Sequence, residues 1–334
     1  MRLPLAALLA ALTLAGASSA FAADPAYKLV KEIPIGGGGG WDYLSAEPTG
    51  HRLYVTHGTK VVVIDTQAGK VVGEVTDTPG VHGFVAVPDL KRGFSSNGQE
   101  NKASIVDLDS LKTLSKVATG PNPDALLYDP GSGEVWTFNG RGQSATAFNA
   151  KTGEVVAASI PLEGKPETGV VDSAAGKVYV NLEDKSEIAV VDVKTHKVEA
   201  HWPIAPGASA TGLAFDPELH RLILGCGNSK MVMMDSTNGK VVASIDAGQG
   251  IDAAAFDPGA HLAFASAGGS GTVTIAKVEA DKLTPVQTLT TERGARTMTV
   301  DTATHHIFLA NAKNRTDTTS FKVLEYGTDG NTKP

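Results

Sequence analysis

This 334-residue chain has a single cysteine and few aromatics, and no apolar run is long enough to cross a bilayer as a helix. Cys226 alone cannot form an internal disulfide, so packing must hold the fold together. No CxxCH is present for a covalent haem. Nor is there a nucleophile elbow, a Ser-His-Asp spacing or a dinucleotide fingerprint. The five glycines Gly36 to Gly40 lack the Lys-Ser/Thr and the helix that a phosphate loop requires, and read as a flexible connection. Basic residues are also scarce. The 29 Lys and Arg less Arg2 leave 28 against 36 acidic residues once residues 1–22 are removed, a net charge of −8. That balance disfavours a general nucleic-acid binder, whose affinity rests on cation density.

What the chain does have is short strands. Ala208 to Gly250 reads as four of them, TGLAF, RLILG, KMVMMD and GKVVASID. Turn residues separate the four: Asp216-Pro217, Gly227-Asn228 and Asn238-Gly239. The unit repeats. The turn after each first strand falls at Glu47, Val87, Asp129, Asp172, Asp216, Asp257 and Asp301, with gaps of 40, 42, 43, 44, 41 and 44 residues. The turn after the third strand falls at Asp65, Asp107, Asn149, Asp192 and Asp235. Asp and Asn side chains close such turns on nearby backbone N–H groups, and Gly69, Gly153 and Gly239 follow where positive φ is cheap. Four strands recurring every 40–45 residues or so define a β-propeller blade. Seven first strands give an all-β, seven-bladed β-propeller with blades at 41–80, 81–122, 123–164, 165–207, 208–250, 251–294 and 295–334. The last blade lacks a fourth strand, and YKLVKEIPI (Tyr27 to Ile35) matches HKVEAHWPI of the fourth blade. The N-terminal strand is therefore expected to complete the last blade and close the ring, which removes open sheet edges.

Residues 1–22 read as a secretory signal: Arg2, an apolar core from Leu3 to Leu14, and the cleavage site Ala20-Phe21-Ala22. The expectation is a periplasmic or secreted protein, cleaved after Ala22, whose single domain spans 23–334. It is read as a monomer with no membrane span.

The repeated pattern of Asp-Pro, apolar strand and Asp-x-x-x-Gly-Lys-Val, with Tyr54-Val55-Thr56 and Tyr179-Val180-Asn181 in second strands, resembles the YncE-like, YVTN-repeat β-propellers. The resemblance spans nearly the whole mature chain. Asn97, Asn139 and Asn311 keep that repeat's Asn, and His57 replaces it. It implies a periplasmic seven-bladed fold and, from one member, single-stranded DNA binding. An aromatic content of 6% and an acidic balance argue against that last property, which needs stacking platforms and a cationic groove.

First strands of propellers lie nearest the axis, so their starts should ring the mouth of the central channel. Five residues before each first turn stand Asp42, His82, Asp124, Glu167, Thr211, Asp252 and Arg296. Ten residues after it, at the second-strand ends, stand His57, Asn97, Asn139, Leu182, Cys226, Ala267 and Asn311. Both rings are expected at the same mouth, with Cys226 a small packed residue. Asp42, His57, His82, Asn97, Asp124, Asn139, Glu167, Asp252, Arg296 and Asn311 are the candidate ligand-binding residues, although a ring of this kind can also serve only to solvate the mouth and cap loops. Converging carboxylates repel, and a divalent cation held by Asp42, Asp124, Glu167 and Asp252 would relieve this.

Two function classes follow. One is a non-enzymatic binding module for a small ligand or a periplasmic protein. The other is a metal-dependent hydrolase of the propeller lactonase type, with Asn139 as a further metal ligand, His82 as base and Arg296 as anion anchor. Single-stranded DNA binding is the weaker third.

Overall fold

The computed structural model describes residues 26–314 and 316–328. The proposed signal segment lies outside them, as does Arg315 of the polar loop that follows Asn311. Seven four-stranded antiparallel sheets are arranged as blades. Six are built from consecutive strands, spanning 41–75, 81–118, 123–161, 166–203, 210–246 and 251–290. The seventh joins Met298–Asp301, His306–Asn311 and Lys322–Thr328 to Tyr27–Pro34. Tyr27 lies opposite Thr328 and Pro34 opposite Lys322, so the first strand of the chain is the outer strand of the last blade. Gln287 ties it further to blade 6, accepting from the Tyr27 N–H at 2.8 Å and donating to the Tyr27 carbonyl at 2.9 Å.

The turns form for the reasons their residues suggest. Oδ1 of Asp65, Asp107, Asp192 and Asp235 each accepts a backbone N–H two or three residues on at 2.8 Å; Asn149 does so at 2.9 Å. Gly69, Gly153 and Gly239 adopt φ of 63°, 74° and 74°. After the first strands, Asp129, Asp172, Asp216, Asp257 and Asp301 close their turns in the same manner. Blades 1 and 2, where Glu47 and Val87 replace Asp, turn instead through the short 3₁₀ segments Pro48–Gly50 and Pro88–Leu90.

Second and third strands are buried on both faces, as in Leu53, Tyr54, Val55 and Val61 to Ile64. Their apolar side chains pack from blade to blade and form the core. Cys226 is fully buried, and burial pushes its thiol up to about 12, so it is a packed residue and not a reactive thiolate. The five-glycine connection is hydrogen-bonded: the Ile35 and Gly36 N–H groups donate to Phe321 and that of Gly37 to Thr318.

Candidate functional site at the channel mouth

The innermost strand of each blade carries one irregularity. In blades 1 to 6 its register with the second strand shifts at the third, fourth or neighbouring position from its start. The breaks fall between Trp41 and Leu44, Val81 and Phe84, Pro123 and Leu126, Pro166 and Gly169, Ala210 and Gly212, and Ile251 and Ala253. Asp42, His82, Asp124, Glu167, Thr211 and Asp252 all sit inside these bulges. A β-bulge bends its strand and re-aims a side chain, and here six bulges serve the seven-membered first ring. Its last member, Arg296, lies just ahead of Met298–Asp301 and needs no bulge.

Adjacent blades are stitched at this level. The Ser96 hydroxyl donates to the Asp124 carbonyl, Thr168 to the Thr211 carbonyl at 2.6 Å, Thr211 to that of Ile251 at 3.1 Å and Ser266 to that of Arg296. Arg296 then donates to the Trp41 carbonyl at 3.1 Å, joining blade 7 to blade 1.

Three ring members converge. His82 Nδ1 lies 2.7 Å from Asp42 Oδ2 and 3.6 Å from Asp124 Oδ1. One ligand atom from each of the three lies within 4.8 Å of the others, a spacing that a single metal ion could bridge. Two of the three, Asp42 and His82, help to line a cavity of about 350 Å³ together with Trp41, Gln99, Arg141 and Arg296. Beside them Arg296 holds Asp252 at 2.5 Å, and Lys165 holds Glu167 at 2.5 Å and Glu183 at 2.6 Å.

The ring's electrostatics are those of crowded anions. Burial first, then the charge of Asp42, pushes Asp124 up to about 7. Burial and Asp124 raise Glu167, while Glu183, which shares a hydrogen bond with it, is lowered. Burial outweighs Arg296 and raises Asp252 as well. For His82, burial opposes the cation, but the hydrogen bond to Asp42 and the charges of Asp124, Asp42 and Glu167 prevail and the net shift is upward. Burial and mutual repulsion therefore favour the protonated form of several carboxyl groups at the mouth.

The second ring lies elsewhere, which corrects the expectation that both open to the channel. His57 pairs with Trp41, Asn97 with Val81 and Asn139 with Pro123, the residues just before the bulge. Strand pleating therefore puts them on the other face from Asp42, His82 and Asp124. Leu182, Cys226 and Ala267 repeat this, and all seven members of the ring are buried. Asn97 accepts from Ser95 at 2.9 Å and donates to Glu100 and Ser104 at 2.8 Å. Asn139 donates to Thr146 at 3.1 Å, and Asn311 to Glu292 at 2.8 Å. His57 stacks on Phe321 at 4.0 Å beneath the glycine connection, where a Cβ on Gly37 would come within 3.1 Å of the imidazole. Burial, then Lys60, lowers its pKa.

Ring spacing alone does not pick out every residue at the mouth. Tyr43 of blade 1 reaches across the channel, and its hydroxyl lies 3.2 Å from that of Thr168 in blade 4. Burial, then Asp124, Asp42 and Glu167, holds that hydroxyl well above its ordinary value. The equivalent positions in the other blades are Gly83, Ala125, Thr168, Gly212, Ala253 and Thr297. One large side chain among six small ones is a signal the sequence does carry: the channel has room for a single plug. Lys165, Glu183 and Arg141 were also missed, because they sit on connecting loops outside the repeat's fixed spacing.

No protein-family model matches this chain, and no curated protein does. Solved structures do. A chain of Kuenenia stuttgartiensis hydrazine synthase is similar with a TM-score of 0.72 at 14% identity, over 82% of this chain and 93% of that one. A chain of the mitotic checkpoint complex is similar with a TM-score of 0.74 at 13% identity, over 97% of this chain and 98% of that one. At such identities the likeness is one of fold, the seven-bladed propeller.

Proposed function

We propose that this chain is an exported, non-enzymatic binding propeller whose channel mouth holds a cationic ligand between Asp42, His82 and Asp124. The observation that carries the reading is the convergence of those three side chains, one ligand atom of each within 4.8 Å of the others, with Asp42 and His82 lining a cavity. The raised carboxylates support it, since a cation entering the ring would replace the protons that burial and repulsion now favour. Two carboxylates and an imidazole suit Mn²⁺ or Zn²⁺ better than Ca²⁺, which takes about six to eight oxygens. Glu167 and Asp252 are already engaged by Lys165 and Arg296, so they tune the field and His82 takes the place expected for them among the ligands. Arg141 and Arg296 on the cavity wall would meet an anionic group carried with the cation.

Propellers commonly serve as binding scaffolds, and the resemblance to YVTN-repeat proteins and the signal-like N-terminus support a periplasmic setting. The ring favours a cation over single-stranded DNA, whose phosphates it would repel.

The test is a thermal melt of chelator-stripped protein against a panel of divalent cations. A ligand that binds only the folded state stabilises it by about 2.7 kcal/mol at a hundred times its Kd. A saturable rise with Mn²⁺ or Zn²⁺, absent in Asp124→Asn, is expected. No rise with any cation would remove the metal reading, and turnover of a lactone panel would remove the non-enzymatic one.

A further inference from the structure

A second cavity, of about 460 Å³, lies away from the channel in the notch between blades 4 and 5. Tyr179, Val190, Ala200 and Trp202 of blade 4 wall it on one side, and His220 and Ser236 of blade 5 on the other. The Tyr179 and Trp202 rings lie 5.9 Å apart at 30°. Gly239 of blade 5 makes room for the indole: a Cβ there would stand 2.4 Å from the ring.

The charged groups around this notch are already engaged. Lys177 is held by Asp192 at 2.8 Å and by Glu199 at 2.7 Å, and Asp172 accepts the Ala175 N–H at 2.9 Å. The Tyr179 hydroxyl donates to the Ser236 carbonyl at 2.9 Å. Beside the exposed His220 imidazole, one buried polar group remains. The Ser236 hydroxyl, on a residue 3% exposed, has no hydrogen-bond partner among the described residues. A buried hydroxyl left unpaired is costly, and a ligand group that pairs with it recovers that cost.

We infer that this notch is a second ligand site, for a flat, uncharged aromatic or heteroaromatic ring carrying one group that hydrogen-bonds to Ser236. The ring packs against Trp202, which is itself backed by the buried Tyr179, and the hydrogen bond fixes its orientation. The volume lies within the range of about 300–1,000 Å³ usual for small-ligand pockets. None of these residues belongs to the channel mouth, so the two sites stand or fall separately.

Indole is a suitable probe, followed by ¹H–¹⁵N spectra of the whole protein. A saturable shift of the Trp202 Nε1–H resonance is expected. It should be lost in Ala200→Phe, which fills the cavity, and it should need about fivefold more indole in Ser236→Ala, the cost of one neutral hydrogen bond. It should be unchanged in Asp124→Asn. Absence of a saturable Trp202 shift up to the solubility of indole overturns the proposal, and so does a shift that persists in Ala200→Phe. If Ala200→Phe does not fold, Ser236→Ala decides, and unchanged affinity there is equally contrary.

Discussion

Two rings of seven residues stand one strand apart in this molecule, and they do opposite things. The first, from Asp42 to Arg296, has six members inside β-bulges or beside one, partly open to the channel. The second, from His57 to Asn311, is buried inside the blades. Both contain polar side chains at a regular spacing. What separates them is a one-residue offset: His57 faces Trp41, not Asp42. Regular spacing locates a ring, but the pleat and the bulge decide which face it occupies. Polar groups of the buried ring are spent within the blades, as in Asn97 and Asn139, whereas members of the open ring such as His82 and Asp42 meet across them.

The largest perturbation removes both rings at once. A chain ending at Gly294 loses the three C-terminal strands and leaves Tyr27–Pro34 without its partner Lys322–Thr328. It should fail to give a cooperative melt; a folded, monomeric product would contradict ring closure.

A subtler change touches only the buried ring. Asn97→Ala leaves the Ser95 and Ser104 hydroxyls buried without their present partner. At about 1–3 kcal/mol for each orphaned group, the melting midpoint should fall by roughly 5–10 °C. Cation affinity measured calorimetrically on the folded protein should stay within about twofold. A selective loss of affinity would mean that the second ring also serves the mouth.

The smallest effect sharpens the open ring. Asp124, raised from 3.8 to about 7, holds its proton in the folded protein where the unfolded chain has released it. Stability from this group is therefore complete below about pH 4 and is lost as pH rises through about 7. His82 acts in the same sense, since its raised value stabilises the fold at low pH and that contribution fades as pH rises through the folded value. The cation-free midpoint should thus fall between pH 5 and pH 8, allowing for the opposite slope of lowered groups such as Asp192 by comparison with Asp124→Asn. That variant should flatten the fall and sit about 2–4 °C above wild type at pH 8. An unchanged pH slope in the variant would contradict the assigned repulsion.

The fold was legible because each blade declares itself locally. Asp65, Asp107, Asn149, Asp192 and Asp235 close their turns through their own side chains, and Gly69, Gly153 and Gly239 take positive φ. Strand Tyr27–Pro34 could be placed because it repeats the pattern of another outer strand. The first ring was legible as a spacing. Its contact pattern was not, because three of its members meet only through side-chain reach across blades, as His82 does with Asp42 and Asp124. The second ring was misplaced because nothing in a strand's sequence marks a bulge that inserts one residue. Tyr43 could have been found by comparing the residue that follows each ring member. The notch around Trp202 could not, since it depends on how two blades meet.

The most direct measurement is an anomalous difference map from crystals soaked in Mn²⁺. The result expected is a single strong peak bounded by the Asp42 and Asp124 carboxylates and the His82 imidazole, absent from Asp124→Asn crystals. A map with no peak there, or with its peak among the second-ring residues Asn97, Asn139 and Asn311, would contradict the separation of an open, cation-holding ring from a buried, structural one.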